Sequence, residues 1–233
     1  MKKILFYVFA FALISQASAQ KFGGGLEIGT MYSWLNTDSK HASAESGRLG
    51  FTYGAFLDMN LSENFAFSTG LNMNYTGGAI KYNENINLNW DNKTYDIAEN
   101  STVDYKIQYL ELPISIKGKT QEIGYITYFA RLGVNPSIAV KSRADIDGTV
   151  MDGTTTVTDL SDLNIKDNIS LFNVGWHVGG GLEYSLGGTT SVIGELTYSH
   201  NFLSMTNDNI TKPTGNTVNV TNSLITIKVG IKF

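Results

Sequence analysis

The sequence predicts an all-β protein: an eight-stranded antiparallel up-and-down transmembrane β-barrel. Three observations predict it: segments of strict apolar/polar alternation, connections that alternate between short and long, and polar faces built mainly of Gly, Ser, Thr and Asn. A two-residue period places one class of side chain on each face of a strand. A closed barrel is the one kind of sheet that leaves no backbone edge unpaired in lipid.

Seven segments alternate strictly, with apolar residues on one phase and small or polar residues on the other. They cover residues 26–34, 49–59, 65–75, 126–134, 172–184, 192–202 and 225–233. In the first of them, Leu26 and Ile28 share one face while Glu27 and Ser33 share the other. Each segment is long enough to be one membrane-spanning strand.

An eighth segment, residues 105–116, is less regular. Tyr105, Ile107 and Tyr109 hold one phase, whereas the apolar residues from Leu110 onward hold the other. Such a phase change requires one extra residue, which a β-bulge supplies. We therefore expect a bulge near Tyr109–Leu110, shortly before Pro113.

The connections predict the order of the strands. Residues 60–64, 118–124 and 187–190 read as tight turns, whereas residues 36–47, 76–102, 142–169 and 204–216 read as long polar loops. Short turns at one end and long loops at the other are typical of an up-and-down membrane barrel. Weak alternation at 79–90 and 101–109 indicates a hairpin that projects beyond the sheet, and ten strands are the alternative if these segments pair independently.

Alternation alone does not say which face points inward. A soluble lipocalin-like barrel would place the apolar face inside, around a ligand, whereas a membrane barrel places it outside, against lipid. The polar face has few long charged side chains, and Tyr, Trp and Phe border the apolar stripes, as in interfacial aromatic girdles. Both features favour the outer membrane over the soluble alternative.

The N-terminus predicts export. Lys2 and Lys3 precede an apolar run from Ile4 to Ile14 and an Ala-Ser-Ala ending, so residues 1–19 are predicted to be a cleaved signal peptide and residues 20–233 the barrel domain. Its removal changes the formal charge from −4 to −6, which gives no reason to expect a nucleic-acid partner. The chain has no cysteine, which excludes disulfides, thiol nucleophiles and thiolate metal sites.

Charged residues of both signs fall on the inward phase. Because unpaired charges are costly in a low-dielectric lumen, we expect them to form mutually neutralising ion pairs. The candidates are Glu27, Asp58, Glu111, Lys117, Arg131, Glu183, Glu195, Lys228 and Lys232. An eight-stranded barrel is filled by its own side chains, so a general porin is not expected.

Two short motifs carry residue types that are suited to catalysis or metal binding. Ser199 and His200 are adjacent, but neighbouring strand residues face opposite sides, so they cannot pair in a regular strand. His177 is predicted to face the lumen in a packing role. Asp145, Asp147 and Asp152 offer oxygen ligands suited to Ca²⁺, but the loop lacks the later bidentate Glu of an EF-hand. We therefore expect no catalytic residue, no metal and no cofactor, and a lipid hydrolase remains a minor alternative.

The chain as a whole resembles the PorT-type outer-membrane β-barrel family of Bacteroidota. The resemblance rests on the signal peptide, the eight alternating segments, "YLELP" at 109–113 and "VGGGLEYSL" at 178–186. From the barrel and its long external loops we expect a structural or interaction role, with outer-membrane lipid and external proteins as partners. Members of the family are implicated in type IX protein secretion, which is the alternative function.

The terminal "VGIKF" resembles the C-terminal signal that the barrel-assembly machinery reads. The resemblance implies that this machinery is a partner during biogenesis. It assigns the assembly signal to Ile227, Val229, Gly230, Ile231 and Phe233.

Overall fold

The computed structural model describes residues 22–37, 40–91, 93–152, 155–207 and 218–233. The predicted signal peptide lies outside these residues. The described part of the chain forms twelve strands and one short 3₁₀ helix, Lys166–Asn168. The strands are β1 Phe22–Thr37, β2 Ala42–Asn60, β3 Phe65–Tyr82, β4 Ile86–Trp90, β5 Lys93–Ile97, β6 Ser101–Glu111, β7 Ile114–Lys119, β8 Ile126–Asp152, β9 Thr155–Asn164, β10 Phe172–Gly187, β11 Thr190–Asn201 and β12 Val220–Lys232.

The prediction of an eight-stranded antiparallel barrel is confirmed. The ring runs β1, β2, β3, β6 with β7, β8, β10, β11 and β12, because β6 and β7 are two halves of one interrupted strand. It closes where β12 pairs with β1 in a register that runs from Gly25↔Lys232 to Thr37↔Val220. Two backbone hydrogen bonds between Gly24 and Phe233 extend this seam to the last residue. The chain therefore leaves no open edge in the ring.

The phase assignment follows the predicted pattern in the barrel wall. Apolar side chains such as Leu26, Leu71 and Leu132 are exposed on the outside, at 61%, 52% and 61% of their surface. Their inward neighbours, such as Glu27 and Arg131, are buried. Exposed apolar side chains around the whole wall require a non-aqueous surrounding, so the wall is built to face lipid.

The predicted tight turns lie at one end of the barrel, between β2 and β3, β7 and β8, and β10 and β11. In the last of these turns Gly187 and Gly188 take φ values of +109° and +63°, which glycine adopts without strain. Short turns mark the periplasmic end of such barrels, so the opposite end is external. Among the described residues, no helix is long and apolar enough to cross a membrane.

The predicted hairpin that projects beyond the sheet is present, because the outer parts of β3 and β6 pair from Ala79↔Asp104 to Tyr82↔Ser101. The rest of the external end differs from the predicted long polar loops. β8 is 27 residues long, whereas about ten residues suffice to cross a bilayer as a tilted strand. β3 and β6 also continue outward, β9 pairs with the outer part of β8, and the β4–β5 hairpin folds back and pairs with β8 at Asp96↔Met151. Most of residues 76–102 and 142–164 are therefore strand.

The bulge expected near Tyr109–Leu110 lies on the neighbouring strand. Gln108 pairs with Lys141 and Tyr109 with Ala139, so Val140 of β8 is the extra residue. The odd-numbered residues of β6 and β7 keep one inward phase throughout, from buried Tyr105 and Tyr109 to buried Lys117. The sequence suggested a phase change because the interior itself changes from apolar to polar along this strand.

Candidate functional site

The lumen near the periplasmic end holds a compact cluster of four charges. Lys117 Nζ lies 2.7 Å from Asp58 Oδ2 and 2.5 Å from Glu183 Oε1. Lys232 Nζ lies 2.9 Å from Glu183 Oε2 and 3.6 Å from Asp58 Oδ2. Ser68 donates a further hydrogen bond of 2.6 Å to Asp58. Two cations and two carboxylates leave this cluster neutral, as burial in a low-dielectric interior requires.

A second cluster occupies the middle of the lumen. Lys228 Nζ lies 2.7 Å from Glu27 Oε1, which also accepts a hydrogen bond of 3.0 Å from Asn72. Arg131 Nε lies 3.1 Å from Glu195 Oε1, an ion pair whose angle falls short of a hydrogen bond. Thr197 donates a hydrogen bond of 2.9 Å to the same carboxylate oxygen.

Eight of the nine predicted lumen charges therefore form ion pairs with one another. The ninth, Glu111, has no ion pair among the described residues and lines a small cavity together with Arg131, Glu195 and Lys228. The volume within which the centre of a water molecule can lie is about 20 Å³. The cavity therefore has room for about one water molecule. The buried Nδ1 of His177 and Oδ1 of Asn135 lack protein partners there, so ordered water is the fitting occupant.

Phe129 and Phe56 fill the space that the charges leave. The Lys117 ammonium lies 4.3 Å from the centroid of the Phe129 ring, a cation–π distance. Phe56, Phe129 and Ile193 form an apolar cluster inside the otherwise polar lumen. The lumen is thus a packed core of paired charges and aromatic rings.

Above the lumen lies an external cap with a hydrophobic core of its own. We use this name for the β4–β5 hairpin, the outer parts of β3, β6 and β8, and the segments around Ile165–Ile169, Met205 and Val218–Val220. Ile80, Leu88 and Ile97 are completely buried there, and the Trp90 and Tyr95 rings stack with centroids 3.8 Å apart.

Two tyrosines lie at the centre of the cap. The hydroxyls of Tyr82 and Tyr105 are hydrogen-bonded at 2.6 Å, and both side chains are fully buried. Burial raises the pKa of both phenols above the usual value, because the charged form would lose its hydration. Both phenols therefore stay neutral in the folded cap at alkaline pH values at which an exposed tyrosine would ionise.

Ser199 and His200 do not contact each other, as the alternation of side chains along a strand predicts. Ser199 faces the lumen opposite His177 in the β10–β11 register. His200 lies on the outer phase, where its Nδ1 is 2.8 Å from Ser223 Oγ, and Asn36 donates to the same hydroxyl at 2.9 Å. Ser223 is 2% exposed, so its hydroxyl is closed to a bulky substrate.

The acidic segment 145–153 is part of strand β8 as far as Asp152, which corrects its assignment to a loop. Asp145 is paired with the Lys106 ammonium and accepts the Asp162 backbone N–H at 2.9 Å. Burial raises the pKa of the Asp145 carboxyl, but these two donors outweigh burial and hold the pKa below its usual value. Among the described residues, no group of three His, Asp or Glu side chains is arranged to hold a metal ion.

The predicted assembly signal lies on β12 at the barrel seam. Ile227, Val229, Ile231 and Phe233 are exposed on the lipid-facing side, and Gly230 lies opposite Glu27. A Cβ atom at Gly230 would lie 2.7 Å from the Leu26 carbonyl oxygen, so only glycine fits this close approach.

Sequence reasoning predicted the projecting hairpin of β3 and β6, but it missed the hydrophobic core of the cap and the aromatic filling of the lumen. Ile86, Leu88 and Trp90 alternate over only five residues between Asn- and Asp-rich stretches, so they read as part of a loop. Phe56 and Phe129 are apolar residues on the otherwise polar, inward face of their strands. This exception in the sequence pattern could have indicated that an aromatic ring lies beside the inward-facing Lys117.

A closed ring of eight strands with an apolar outside and a paired, polar inside defines an outer-membrane β-barrel protein. Residues 15–232 match the family model described as "Outer membrane protein beta-barrel domain", and the chain belongs to that family. No curated protein matches the sequence.

Solved outer-membrane proteins resemble the chain at low identity. The Ail attachment invasion protein of Yersinia pestis is 10% identical, with 91% of this chain and 99% of Ail covered and a TM-score of 0.41. Neisserial surface protein A is 14% identical, with coverage of 91% and 97% and a TM-score of 0.43. OprG of Pseudomonas aeruginosa is 13% identical, with coverage of 91% and 95% and a TM-score of 0.42.

Proposed function

We propose that this protein is a non-conducting, non-enzymatic outer-membrane barrel that presents its external cap to other molecules. The observation that carries the proposal is the double seal of the interior. Eight of the nine charged lumen residues are paired with one another, and the cap places a hydrophobic core above them. An ion would have to break buried pairs and cross that core, and both steps are costly.

The cap supports an interaction role. Its strands extend far beyond the length that a bilayer requires, and its core keeps their external surfaces in a fixed arrangement. Binding residues are most precise when they lie on rigid elements. External proteins are therefore the proposed partners, with the barrel as their membrane anchor and the assembly machinery as a partner of β12 during biogenesis.

Two narrower functions have less support than the interaction role. A lipid hydrolase needs an accessible nucleophile, whereas Ser199 faces the closed lumen and Ser223 is buried. The resemblance to PorT-type proteins raises a role in type IX secretion, but no described residue favours it over the general interaction role. We therefore propose neither activity for this chain.

Conductance in planar bilayers tests the seal. The wild-type protein should show no stable current steps in symmetrical salt at neutral pH, and fatty-acid release from phospholipid vesicles should stay at background. Regular current steps from the purified, folded protein would overturn the non-conducting proposal. Sustained lipid turnover that is lost in Ser223→Ala would overturn the non-enzymatic one.

Crosslinking in native membranes tests the interaction role. Because Tyr82 and Ser101 are direct register partners, an Asn-Gly turn can replace residues 83–100 and remove the β4–β5 hairpin. The shortened protein should fold, as judged by faster gel migration before boiling, but should lose the crosslinked partners. Glu122→Gln, in a periplasmic turn, is the control and should keep them. Retention of every partner by the shortened protein would contradict the proposal.

A further inference from the structure

A cluster of basic side chains lies on the outer wall of the barrel, at the base of the external extension. It consists of Arg48 on β2, Lys106 on β6, and Lys141 and Arg143 on β8, and we call it the basic recess. Lys106 lies opposite Arg143 and Gln108 opposite Lys141 in the β6–β8 register. Gly77 of β3 lies between Arg48 on β2 and Lys106 on β6. Because Gly77 has no side chain, Arg48 extends across it, and the Arg48 Cδ atom is 3.3 Å from the position that a Cβ atom at Gly77 would occupy.

The charges on this wall are sorted along the barrel axis. Three successive outward-facing residue pairs connect β6 and β8 here, and the pair farthest from the membrane is Asp104 with Asp145. The next pair toward the membrane is Lys106 with Arg143, and the one after it is Gln108 with Lys141. Below the bulge, Leu110 pairs with Ile138, which is exposed to lipid. Asp104 and Asp145 therefore lie farther from the bilayer than the basic groups, and Asp162 lines the recess beside Arg143.

Asp104 and Asp145 neutralise only part of the positive charge of the basic recess, and they lie on the side of the recess that is farther from the membrane. Arg48 Nη1 lies 2.9 Å from Asp104 Oδ2, and Lys106 is paired with Asp145. Arg143 Nε is 3.8 Å from Asp162 Oδ1, at the limit of an ion pair, and Arg143 Nη1 donates a hydrogen bond of 2.9 Å to the Asp162 backbone carbonyl. Lys141 is exposed and has no ion pair among the described residues. Lys141 is therefore the basic group of the recess that has no ion pair in the described structure, and it lies nearest to the membrane on β8.

The floor of the recess continues into a lipid-facing groove. Leu49 is 80% exposed, and the Phe51 and Tyr75 rings stack with centroids 4.1 Å apart. Phe51 also borders an almost wholly apolar groove on the adjoining wall, lined by Ile28, Thr30, Tyr53, Ile227 and Val229. From the external side toward the membrane, the wall therefore presents basic groups, then stacked aromatic rings, then an apolar groove. This order matches a lipid, in which a charged headgroup is followed by acyl chains.

We propose that the basic recess binds the phosphate of an outer-leaflet lipid, with one acyl chain of that lipid in the groove beside Phe51. Arginine and lysine are the side chains that recognise phosphate, and their attraction is strong beside a low-dielectric bilayer. The inference requires the outer-membrane location of the barrel but not the proposed role of its cap. A phosphorylated lipid is favoured over an acidic protein because the recess and the lipid-facing groove are continuous.

Native mass spectrometry of the purified barrel with added lipid A tests the proposal. Wild-type protein should retain bisphosphorylated lipid A, and the variant Lys141→Gln/Arg143→Gln should retain at least about tenfold less. Lys40→Gln/Lys166→Gln, which removes the same charge at exposed external positions outside the recess, should retain as much as wild type. Lipid A without phosphates should bind wild type no better than it binds the recess variant.

Faster gel migration before boiling will show whether the recess variant is folded. If it is not, Lys141→Gln alone replaces it, since Lys141 is exposed and makes no ion pair in the described structure. This single variant should still lose several-fold in retention. Equal retention of phosphorylated and dephosphorylated lipid by wild type would overturn the proposal, as would wild-type retention by a folded recess variant. Displacement of the lipid by an acidic peptide at micromolar concentration would instead assign the recess to a protein partner.

Discussion

Lys117 Nζ and Glu183 Oε1 lie 2.5 Å apart across the lumen, although the residues are 66 positions apart in the chain. Asp58 holds the same ammonium from the other side at 2.7 Å. The lysine thus ties together three strands, β2, β7 and β10, at the periplasmic end of the barrel. Its removal would leave two buried carboxylates without this cation.

Lys117→Met should therefore destabilise the barrel by about 3–5 kcal/mol, the usual cost of breaking a buried ion pair. Thermal or urea unfolding in detergent, followed by the loss of fast gel migration, measures the change. Lys119→Met is the matched control, because Lys119 is only half-buried and its amine bonds the neutral Asn60. It should cost less than about 1 kcal/mol. Equal stability of the two variants would refute the buried-pair interpretation.

The pairing of Arg131 with Glu195 predicts coupling in a double-mutant cycle. Arg131→Leu and Glu195→Leu should each destabilise by a few kcal/mol, and the double variant should cost less than the sum of the two. The same cycle between Arg131 and Glu183 is the control and should be close to additive, since Glu183 is paired with Lys117 and Lys232. Additivity in the first cycle would show that the ion pair contributes nothing.

The two phases of the wall should differ in chemical access. Because the chain has no cysteine, single cysteines can be placed without background. Those at Leu71, Leu132 and Leu196 should react with a lipid-soluble maleimide in proteoliposomes, since these side chains are more than half exposed. Those at the buried inward positions Asn72 and Thr197 should not react. Preferential labelling of the second set would reverse the barrel's inside and outside.

The cap should lose stability at alkaline pH. Tyr82 and Tyr105 have raised pKa values in the folded cap, whereas an opened cap exposes them at about 10. Opening above pH 10 therefore releases protons, so the free energy of opening falls by up to about 1.4 kcal/mol per pH unit for each tyrosine. Below about pH 9 this contribution is constant. Fluorescence of Trp90, which stacks on Tyr95, reports the opening.

The control for alkaline opening is Tyr82→Phe/Tyr105→Phe. It removes both hydroxyls at once and leaves no unpaired partner, so the cap should stay folded near neutral pH. Its stability should change less steeply between pH 10 and 12 than that of the wild type. An unchanged slope would assign the alkaline opening to other groups.

Phe233→Ala should lower the amount of protein that reaches the outer membrane more than it lowers stability in detergent. The ring is 63% exposed, so its burial in the lipid interface contributes on the order of 1–2 kcal/mol. The substitution keeps both backbone hydrogen bonds to Gly24, which deletion of the residue would remove. Phe65→Ala changes another exposed aromatic residue near the periplasmic rim and should assemble normally. Normal surface levels of Phe233→Ala with collapsed stability would make the residue purely structural.

The barrel wall could be predicted from sequence because lipid imposes a simple rule on it. Side chains that face lipid must be predominantly apolar, so residues such as Leu26, Leu71 and Leu196 indicate the phase without any knowledge of their partners. The ion-pair candidates followed from the same rule, since their charges could only face inward. Which carboxylate meets which cation depends on the stagger of the strands around the ring, and a single sequence does not give that stagger.

The external strands escaped prediction for a different reason. The outer part of β8 and the β4–β5 hairpin are stabilised by pairing with distant segments, and their sequences are rich in Asp, Asn and Thr, which are typical of loops. Along β6 and β7 one unbroken inward face carries Ile107 outside the membrane and Lys117 within it. The predicted bulge rests on the assumption that all inward-facing residues are polar. Under that assumption, the change from an apolar interior in the cap to a polar interior in the lumen was interpreted as a bulge in this strand.

That unbroken face has a consequence for mutational tolerance, which reverses within a single strand. At Lys117 a leucine would leave two buried acids with Lys232 as their one remaining cation in the described structure, whereas ten residues earlier, at Ile107, a lysine would bring an unpaired charge into an apolar core. Both positions face inward on the same hydrogen-bonded path. In a deep mutational scan, their profiles of permitted amino acids should be nearly complementary, and the position at which one profile gives way to the other would mark the membrane boundary on that strand.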